Sequence, residues 1–449
     1  MSRRLPIGPS ALDPRHLDPS VASHDRSARR VLIVGINYDP EPAGIAPYTT
    51  AAARHLAQSG NAVEVWTGLP HYPSWTVPKA YQNNFRSRRR DHNVLVRRFA
   101  HYVPRSQNAP RRAFYELTFG LQVAATRWLE RPDVILCVIP SLLSAAWLSF
   151  LGRRRGVPVA IWIQDLMAQA AVQSGMPGGK KVEGAAAFAE RIALQHAQAV
   201  GVVSEAFRDH VETVRGHSRG IVRIRNWSHV ASPQGDRERW RNELGWGTEE
   251  TIIVHAGNMG LKQGLEVVVE AARQSGARAL NLRFVLIGEG SQKKAIQELS
   301  KDVPTISLLD PIPADSFTAV LSAADILLVN ERKGVREMSL PSKLTSYLVV
   351  GRPILAAVER GGSTAEEVHR SGAGLVVATG DPEALISGVQ ALKDDPIASR
   401  SMGAQGETYA RRHLSAQAGF QSIEQLLDQA VSIHRSADDK RQAVHGLSS

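Results

Sequence analysis

Short apolar runs alternate with helical patterns along nearly the whole chain, and the alternation forms two separate series. The first series predicts strands near 31–36, 63–67, 94–98, 133–138, 158–163, 199–203 and 221–225. The second predicts strands near 252–256, 283–287, 305–308, 326–329, 354–357 and 374–377. Strands that alternate with helices form parallel sheets covered by helices on both faces. We therefore predict an α/β protein with two doubly wound domains, whose ligands bind at the carboxyl ends of the strands in the cleft between them.

Composition separates the two series and marks both ends of the chain. Residues 1–29 hold proline, serine and arginine without apolar periodicity, so a disordered basic tail is predicted there. A serine, proline and glycine stretch at 232–236 marks a linker. The predicted domains are 30–228 and 229–412. A last helical pattern, 413–435, has no strand after it and is predicted to pack back across the cleft, followed by a second disordered tail, 436–449.

The overall composition excludes several classes of protein. A hydrophobic content of 43% and a charged content of 22% are ordinary for a soluble globular chain of 449 residues. The single cysteine, Cys137, excludes a disulfide framework. None of the fifteen histidines has a known metal spacing, so no protein-bound metal is expected. No cofactor is expected either. The N-terminus lacks a secretory signal, which predicts a cytoplasmic protein. Pro140 and Ser141 divide the apolar stretch 134–152 into halves too short to span a bilayer.

Positive charge is concentrated in one segment that is also rich in aromatic residues. Most of the net charge of +11 lies between Arg86 and Arg112, where nine arginines accompany one acid. This pattern suits an anionic membrane surface, a lipid-linked diphosphate or a nucleic acid, and a solvated basic face is the alternative. Balanced charge over most of the remaining chain disfavours nucleic acid. The residues predicted to meet an acceptor or a membrane are Trp75, Arg88, Arg89, Arg90, Arg97 and Arg98.

A glycine-rich turn follows the first strand of the second series. The stretch from Gly257 to Gly264 lies between an apolar run and a helical pattern, and it contains Lys262. A strand, a glycine turn and a helix together place backbone N–H groups and a helix N-terminus against an anion. The spacing matches neither the dinucleotide fingerprint nor the Walker pattern. A diphosphate cradle and an ordinary strand-to-helix turn are both open readings of this stretch alone.

A second helix start contains a lysine. Pro341 and Ser342 suit the first turn and the N-cap of a helix, and Lys343 follows them. A lysine there opposes the helix dipole by a few tenths of a kcal/mol, roughly, and an anionic ligand would reverse that penalty. The alternative is a solvated surface lysine.

Four segments together resemble family 4 of the retaining glycosyltransferases, which have the two-domain GT-B fold. The segments are Ile36 to Ile45, Asn226-Trp227-Ser228, Gly257 to Gly264, and Leu340 to Leu344 with the Gly351-Arg352-Pro353 stop. The likeness covers about 31–430. Within the family, the chain is most similar to the colanic-acid and O-antigen branch.

The resemblance assigns roles to individual residues of this chain. Lys262 and Asn258 would stabilise the donor diphosphate, and Asp165 would hold a hydroxyl group; these three are the catalytic candidates. The residues implied in binding the donor are Gly44, Gly257, Lys262, Gln263, Glu289, Ile312, Pro341, Ser342 and Lys343. Among them, Glu289 and Ile312 belong to the implied nucleotide-base pocket.

The chain departs from the family pattern at three positions. Arg336 and Leu344 stand where many members have two glutamates, although Glu337 is adjacent to the first. Gln164 precedes Asp165 where many members have His-Asp, and an amide cannot act as a base.

The resemblance implies retaining transfer of a hexose-type sugar from a UDP- or GDP-sugar to a polyprenyl-diphosphate-linked glycan, in exopolysaccharide or O-antigen biosynthesis. The N-terminal domain would bind the acceptor and the C-terminal domain the nucleotide sugar. The protein would attach peripherally to the inner face of the plasma membrane, without nucleic acid as a partner. Three alternatives are a GT-B-fold nucleotide-sugar epimerase, a basic nucleic-acid-binding regulator and a catalytically silent sugar-nucleotide-binding protein.

Overall fold

The computed structural model describes residues 28–82, 85–105, 109–164, 179–228, 230, 236–334 and 342–446. These residues form two separate sheets. The first series of apolar runs builds an eight-stranded sheet and the second builds a six-stranded sheet. The two-domain α/β architecture predicted from the alternation is therefore confirmed.

The first sheet is parallel except at one edge. Its strands are β1 (Arg30–Val34), β2 (Ala62–Gly68), β3 (Arg86–Asp91), β4 (Val94–Phe99), β5 (Val134–Ile139), β6 (Val159–Ile163), β7 (Ala199–Val202) and β8 (Ile221–Arg223). They lie in the order β3-β4-β2-β1-β5-β6-β7-β8, with β3 antiparallel to β4. The central strands β5 and β6 are buried along their whole length, as expected for strands covered on both faces.

Strand β3 was not predicted, because its sequence, Arg-Ser-Arg-Arg-Arg-Asp, has no apolar residue. It exists as the outer arm of a hairpin with β4, in which Arg89 pairs with Val96. The turn residues His92 and Asn93 both have positive φ, 45° and 65°. Two positive φ values suit a two-residue turn whose twist matches that of the flanking strands. An edge strand made of charged residues also discourages further strand pairing.

Helices cover the two faces of the first sheet in different ways. The helices of this domain are α1 (Ala46–Gln58), α2 (Ala109–Ala124), α3 (Leu142–Arg155), α4 (Gly179–His196) and α5 (Glu205–Arg215). Helices α2 to α5 share one apolar core with one face of the sheet. Helix α1 packs on the opposite face, together with the last helix of the chain.

The second sheet is wholly parallel. Its strands are β9 (Thr251–Ala256), β10 (Leu282–Ile287), β11 (Ile306–Leu309), β12 (Ile326–Asn330), β13 (Ile354–Ala357) and β14 (Gly374–Val377), in the order β11-β10-β9-β12-β13-β14. Its helices are α6 (Arg237–Glu243), α7 (Glu266–Ala277), α8 (Lys293–Leu299), α9 (Ala314–Ala323), α10 (Ser342–Val350), α11 (Ser363–Ser371), α12 (Pro382–Asp394) and α13 (Pro396–His413). The strand order reverses between β9 and β12, which is the place where such sheets bind ligands.

The last helix, α14 (Ala416–Gly446), leaves the second domain and packs against the first sheet. Leu426 and Leu427 are buried there in the same core as α1. The predicted disordered tail from 436 is wrong as far as 446, because the charged sequence after Ser436 contains no helix breaker before Gly446. Residues 447–449 lie outside the described part.

The N-terminal tail is also shorter than predicted. Arg29 already belongs to the ordered chain, since its guanidinium lies 2.6 Å from Asp428 on α14 and its backbone N–H donates to Asn61. The remainder of that tail, 1–27, lies outside the described residues, and the other domain boundaries stay predictions.

No described helix is long and apolar enough to cross a membrane. Within the described ranges, no group of three or more histidine, cysteine and acidic side chains could hold a metal ion.

Candidate active site

The turns after β9 and β10 lie directly against each other. The N–H of Gly257 donates to the carbonyl of Ile287 at 2.9 Å, and the N–H of Met259 donates to the carbonyl of Glu289 at 2.7 Å. Gly288 has a φ of 143°, and a Cβ on it would lie 2.0 Å from the Gly257 carbonyl oxygen. Only glycine fits such a contact. The glycines therefore join two turns into one surface at the carboxyl end of the sheet.

Lys343 points at this glycine surface. It lies in the first turn of α10, as predicted from Pro341 and Ser342, and its Cε lies 3.5 Å from the position of a Cβ on Gly257. Pro341 itself lies outside the described residues, and Ser342 is the first residue of α10. The hydroxyl of Tyr347, one turn later, accepts from the Ala256 N–H at 2.7 Å and fixes α10 to the end of β9.

A buried histidine, His255, holds the ammonium of Lys343. Its Nε2 lies 3.1 Å from Lys343 Nζ, and its Nδ1 lies 3.2 Å from the carbonyl oxygen of Leu328. Burial first, and then the charge of Lys343, keep the pKa of His255 well below its usual range. A neutral ring donates from Nδ1 to Leu328 and accepts from Lys343 at Nε2. The ring therefore orients the lysine and adds no charge of its own.

Lys262 lies in the 3₁₀ turn Leu261–Gln263 and is exposed. Its carbonyl oxygen accepts from the N–H of Arg332 at 2.7 Å, which ties this turn to the segment after β12. The side chain of Gln263 accepts from the Gly260 N–H at 3.0 Å. Asn330 Nδ2 donates to the Gln263 carbonyl at 2.6 Å. The structure thus gives Gln263 a role in shaping the turn, and its contact with a donor stays a prediction.

Asn258, Glu289 and Ile312 surround the two glycine turns. Asn258 is exposed, and its amide group lies between Gly260 and Gly290, within 2.8 Å of a Cβ placed on either glycine. The carboxylate of Glu289 is exposed and lies 2.6 Å from Lys293 Nζ. Ile312 is half-buried against the core of the second sheet.

A buried carboxylate, Glu41, joins two loops at the carboxyl edge of the first sheet. Its Oε1 accepts from the backbone N–H groups of His71 and Tyr72 at 2.7 and 2.8 Å. Its Oε2 accepts from the Asn37 side chain at 2.8 Å. Gly44 has a φ of 67° and lies under the ring of Tyr72, where a Cβ would be 3.1 Å from Cε1. Glu41 thus fixes the loop that contains Gly44, a link that the sequence analysis missed.

The structure describes two of the positions at which this chain departs from the usual glutamates and histidine, Leu344 and Gln164. Leu344 is fully buried in the core of the second domain. Its side chain therefore packs in that core and does not take the place of the missing carboxylate as a ligand contact. Gln164 follows β6 and is buried, and its Nε2 has no hydrogen-bond partner among the described residues. Asp165, Arg336 and Glu337 lie outside the described part of the chain.

Comparisons with known proteins agree with this arrangement. A family model described as glycosyl transferase 4-like domain matches residues 43–227, and one described as glycosyl transferases group 1 matches residues 236–409. The colanic acid biosynthesis glycosyl transferase WcaI of Escherichia coli K12 is 31% identical over 337 residues, which cover 72% of this chain and 81% of WcaI. The chain belongs to glycosyltransferase family 4, in the colanic-acid and O-antigen branch.

Solved structures show the same fold at lower sequence identity. Sucrose-phosphate synthase from Thermosynechococcus elongatus superposes with a TM-score of 0.63 at 17% identity, covering 90% of this chain and 99% of that one. HepE of Anabaena, solved in complex with UDP, superposes with a TM-score of 0.62 at 13% identity, covering 89% and 99%. The chain is a glycosyltransferase of the GT-B type.

In this family 4 transferase, the Asn226-Trp227-Ser228 segment is a structural junction. Trp227 is buried between the ring of Tyr48, 5.0 Å away, and that of Phe420 on α14, 5.3 Å away. The N–H of Ser228 donates to the Leu414 carbonyl at 2.9 Å. The segment therefore connects the start of α14 to the first sheet.

A buried acid joins the two domains of the transferase. Glu367 on α11 lies 3.3 Å from Arg223, the last residue of β8, and 3.4 Å from Arg225, which follows that strand. The hydroxyl of Tyr409 donates to the same carboxylate at 2.6 Å. The sequence analysis missed this contact, because an acid within a charged helix carries no signal of burial.

The structure divides the arginines of the basic segment into two groups. Arg88, Arg89 and Arg90 on the edge strand are exposed, and Trp75 is half-buried against the core of the first domain. Arg97 lies over the ring of Trp66 and 3.1 Å from Glu64. Arg98 donates to the carbonyls of Asp39 and Gly68. Both side chains of β4 therefore make contacts within the first domain, and the prediction that Arg97 and Arg98 face an acceptor or a membrane stays a prediction.

Proposed function

We propose that this glycosyltransferase is a retaining, metal-independent hexosyltransferase that uses a UDP- or GDP-sugar and a polyprenyl-diphosphate-linked glycan. The observation that carries the donor half of the proposal is Lys343, held by neutral His255 over the glycine surface at Gly257. A lysine at a helix N-terminus is unfavourable without an anion and favourable with one. A nucleoside diphosphate supplies the charge and the length to lie along this edge.

Several residues support the placement of a diphosphate. Lys343 and the N-terminus of α10 lie beside Gly257, and exposed Lys262 and Asn258 lie on the turn that follows. Glycine lets phosphate oxygens approach the backbone closely. HepE of Anabaena, with the same fold, was solved with UDP. The base would extend towards Glu289 and Ile312, which follow β10 and β11.

The residues favour a front-face reaction. The bond from the anomeric carbon to the donor phosphate breaks, and the acceptor oxygen bonds to the same face of that carbon. The acceptor proton passes to the departing phosphate oxygen, since Gln164 cannot take it. Lys262, Asn258 and Lys343 would stabilise the growing negative charge on the diphosphate. One such preorganised hydrogen-bond donor stabilises the transition state by about 3 kcal/mol.

The acceptor and the location follow from the first domain. Arg88, Arg89 and Arg90 line its exposed edge strand, where an anionic headgroup or a lipid-linked diphosphate has access. We propose a cytoplasmic enzyme that attaches peripherally to the inner face of the plasma membrane. No cofactor and no nucleic acid take part.

A transfer assay tests the proposal. Purified protein, a polyprenyl-diphosphate-linked acceptor in detergent and each of UDP- and GDP-hexoses are combined, and the product linkage is read by NMR. We expect the anomeric configuration of the donor to be kept and EDTA to leave the rate unchanged. Lys262→Ala should lower the rate at least about a hundredfold, whereas Lys301→Ala, another exposed lysine of the same domain, should not. Inverted product, or full activity in Lys262→Ala, would contradict the proposal.

A further inference from the structure

The exposed apolar side chains of the protein are concentrated on one helical layer of the first domain. Helices α2, α3 and α4 pack against one another on the same face of the first sheet. Each of them also presents large apolar residues to solvent. The exposed set is Phe114, Leu117 and Leu121 on α2, Trp147 and Phe150 on α3, and Phe188 on α4, with exposures between 39% and 66%.

These residues form a second apolar side on helices that already bury one. On α2, Tyr115, Phe119 and Val123 enter the core, while Phe114, Leu117 and Leu121 recur at the spacing of the opposite side. On α3, Leu142, Ala145 and Leu148 enter the core, and Trp147 and Phe150 lie opposite. A helix that is apolar on both sides is covered on both sides or lies in an interface.

The helices of this layer pack closely, and some of their exposed rings lie near one another. Helix α2 approaches α3 closely at Gly120, where a Cβ would lie 3.2 Å from the Cβ of Leu143. The rings of Trp147 and Phe150 are 6.3 Å apart. The ring of Tyr102 lies 5.1 Å from that of Phe114 and extends the cluster towards β4.

Arginines border this apolar layer. The last turn of α3 consists of Arg153, Arg154 and Arg155, all exposed, and the guanidinium of Arg154 lies 5.6 Å from the ring of Phe150. On the other side, Arg86 of the edge hairpin donates to Gln122 of α2 at 3.0 Å, which places the hairpin and its exposed arginines beside the layer. Helices α2 and α3 together contain five arginines and one acid, Glu116.

We propose that α2, α3 and α4 form a face that inserts into the surface of an anionic lipid bilayer, with the arginines at headgroup level. Apolar residues with arginines at their border match the headgroup boundary of a bilayer. A second copy of the chain is a poorer occupant, because a symmetric dimer would bring together the five arginines of α2 and α3 from each copy, with Glu116 as the one acid on those two helices. The proposal deepens the proposed function, since it places the enzyme at the surface where a lipid-linked acceptor resides.

Vesicle binding with matched variants tests this face. The vesicles contain equal parts of phosphatidylcholine and phosphatidylglycerol, and the protein is assayed by cosedimentation across a salt series. The triple variant Leu121→Ser, Trp147→Ser, Phe150→Ser should bind at least about tenfold more weakly, at low and at high salt, because each replaced side chain would no longer bury apolar surface in the bilayer. The control Leu299→Ser, Ile397→Ser removes exposed apolar residues of the second domain and should bind as the wild type does.

A second measurement reports insertion without changing the stability of the face. Acyl-chain-brominated lipids should quench the fluorescence of the wild type more than that of Trp147→Phe, because the indole of Trp147 would lie near the bromines. Equal quenching, an equal loss of binding in the control pair, or a wild type that forms dimers and ignores vesicles would overturn the proposal.

The test separates this inference from the proposed function. The triple variant should bind UDP or GDP as the wild type does and transfer sugar in detergent. If it does so and also keeps its vesicle affinity, only the membrane face is wrong. If vesicles bind as expected but no sugar is transferred to the lipid-linked acceptor, the proposed function fails and the membrane face stands.

Discussion

At the scale of single residues, a few buried polar groups set the shape of the candidate site. Glu41 and His255 are fully or almost fully buried, and each holds a group at the carboxyl edge of a sheet. Glu41 accepts backbone N–H groups from the loop above Gly44, and His255 accepts from Lys343. Buried polar groups of this kind are costly unless every partner is present. Their removal should therefore be felt in stability as well as in binding.

Glu41→Ala should destabilise the first domain. The change leaves the N–H groups of His71 and Tyr72 without their acceptor, at a cost of about 1–3 kcal/mol for each buried donor. Glu41→Gln keeps an oxygen that can accept both and should cost less. The free energies of unfolding in urea give the comparison. Equal losses for the two variants would show that the carboxylate does not act through these two bonds.

His101 should make the protein less stable in mild acid. Burial first, and then His71, lower its pKa to about 3, so the folded protein keeps the ring neutral. An unfolded chain takes up a proton below about pH 6.5, so the contribution to stability is present above that pH and is lost as the pH falls towards 3.

The test of His101 is a comparison with His101→Phe, which keeps a ring beside Tyr115 and Phe119. Between pH 7 and pH 5, the free energy of unfolding should fall by about 2 kcal/mol less in the variant than in the wild type. If the free energies of unfolding of the two proteins depend on pH in the same way, His101 does not cause the loss of stability in acid.

At the scale of elements, the C-terminal end of α14 and the edge strand β3 are the parts of the secondary structure that the sequence pattern did not predict. A helix was predicted over 413–435, and α14 runs to Gly446 because the residues after Ser436 are polar but do not disfavour a helix. Strand β3 was absent from the prediction because pairing with β4, and not its own residues, makes it a strand. Apolar runs predict central strands well, since burial on both faces dictates their composition.

Helix α14 is held by a close contact that a methyl group should disrupt. A Cβ on Gly419 would lie 2.1 Å from Cε3 of buried Trp227. Gly419→Ala should lower the free energy of unfolding by about 1–3 kcal/mol, the usual cost of overpacking. Gly184→Ala in α4 is the matched control, because nothing lies within 4 Å of a Cβ there, and alanine should stabilise that helix slightly. Thermal denaturation distinguishes the two, and a neutral Gly419→Ala would show that α14 shifts freely on Trp227.

At the scale of the whole molecule, the two domains are joined by α14 and by the ion pairs of Glu367 with Arg223 and Arg225. The GT-B fold and the family could be predicted from the sequence, because the strand alternation and four short segments mark them. The partners of Lys343 could not, because an apolar strand containing one histidine does not reveal that His255 meets a lysine 88 residues later. The proposed membrane face could not be predicted either, since exposure on the second side of a buried helix requires the packing to be known.

The central claim is that the carboxyl edge of the second sheet binds a nucleoside diphosphate through Lys343. Calorimetric titration of UDP and GDP into the wild type, Lys343→Met and Lys301→Ala tests it most directly. We predict that the wild type binds at least one of the two nucleotides. Lys343→Met, which keeps the aliphatic stem, should bind that nucleotide at least about tenfold more weakly, since a hydrogen bond to a charged group contributes about 1.5–3 kcal/mol. Lys301→Ala should be unchanged. Wild-type affinity in a folded Lys343→Met variant, or no binding of either nucleotide to the wild type, would contradict the account.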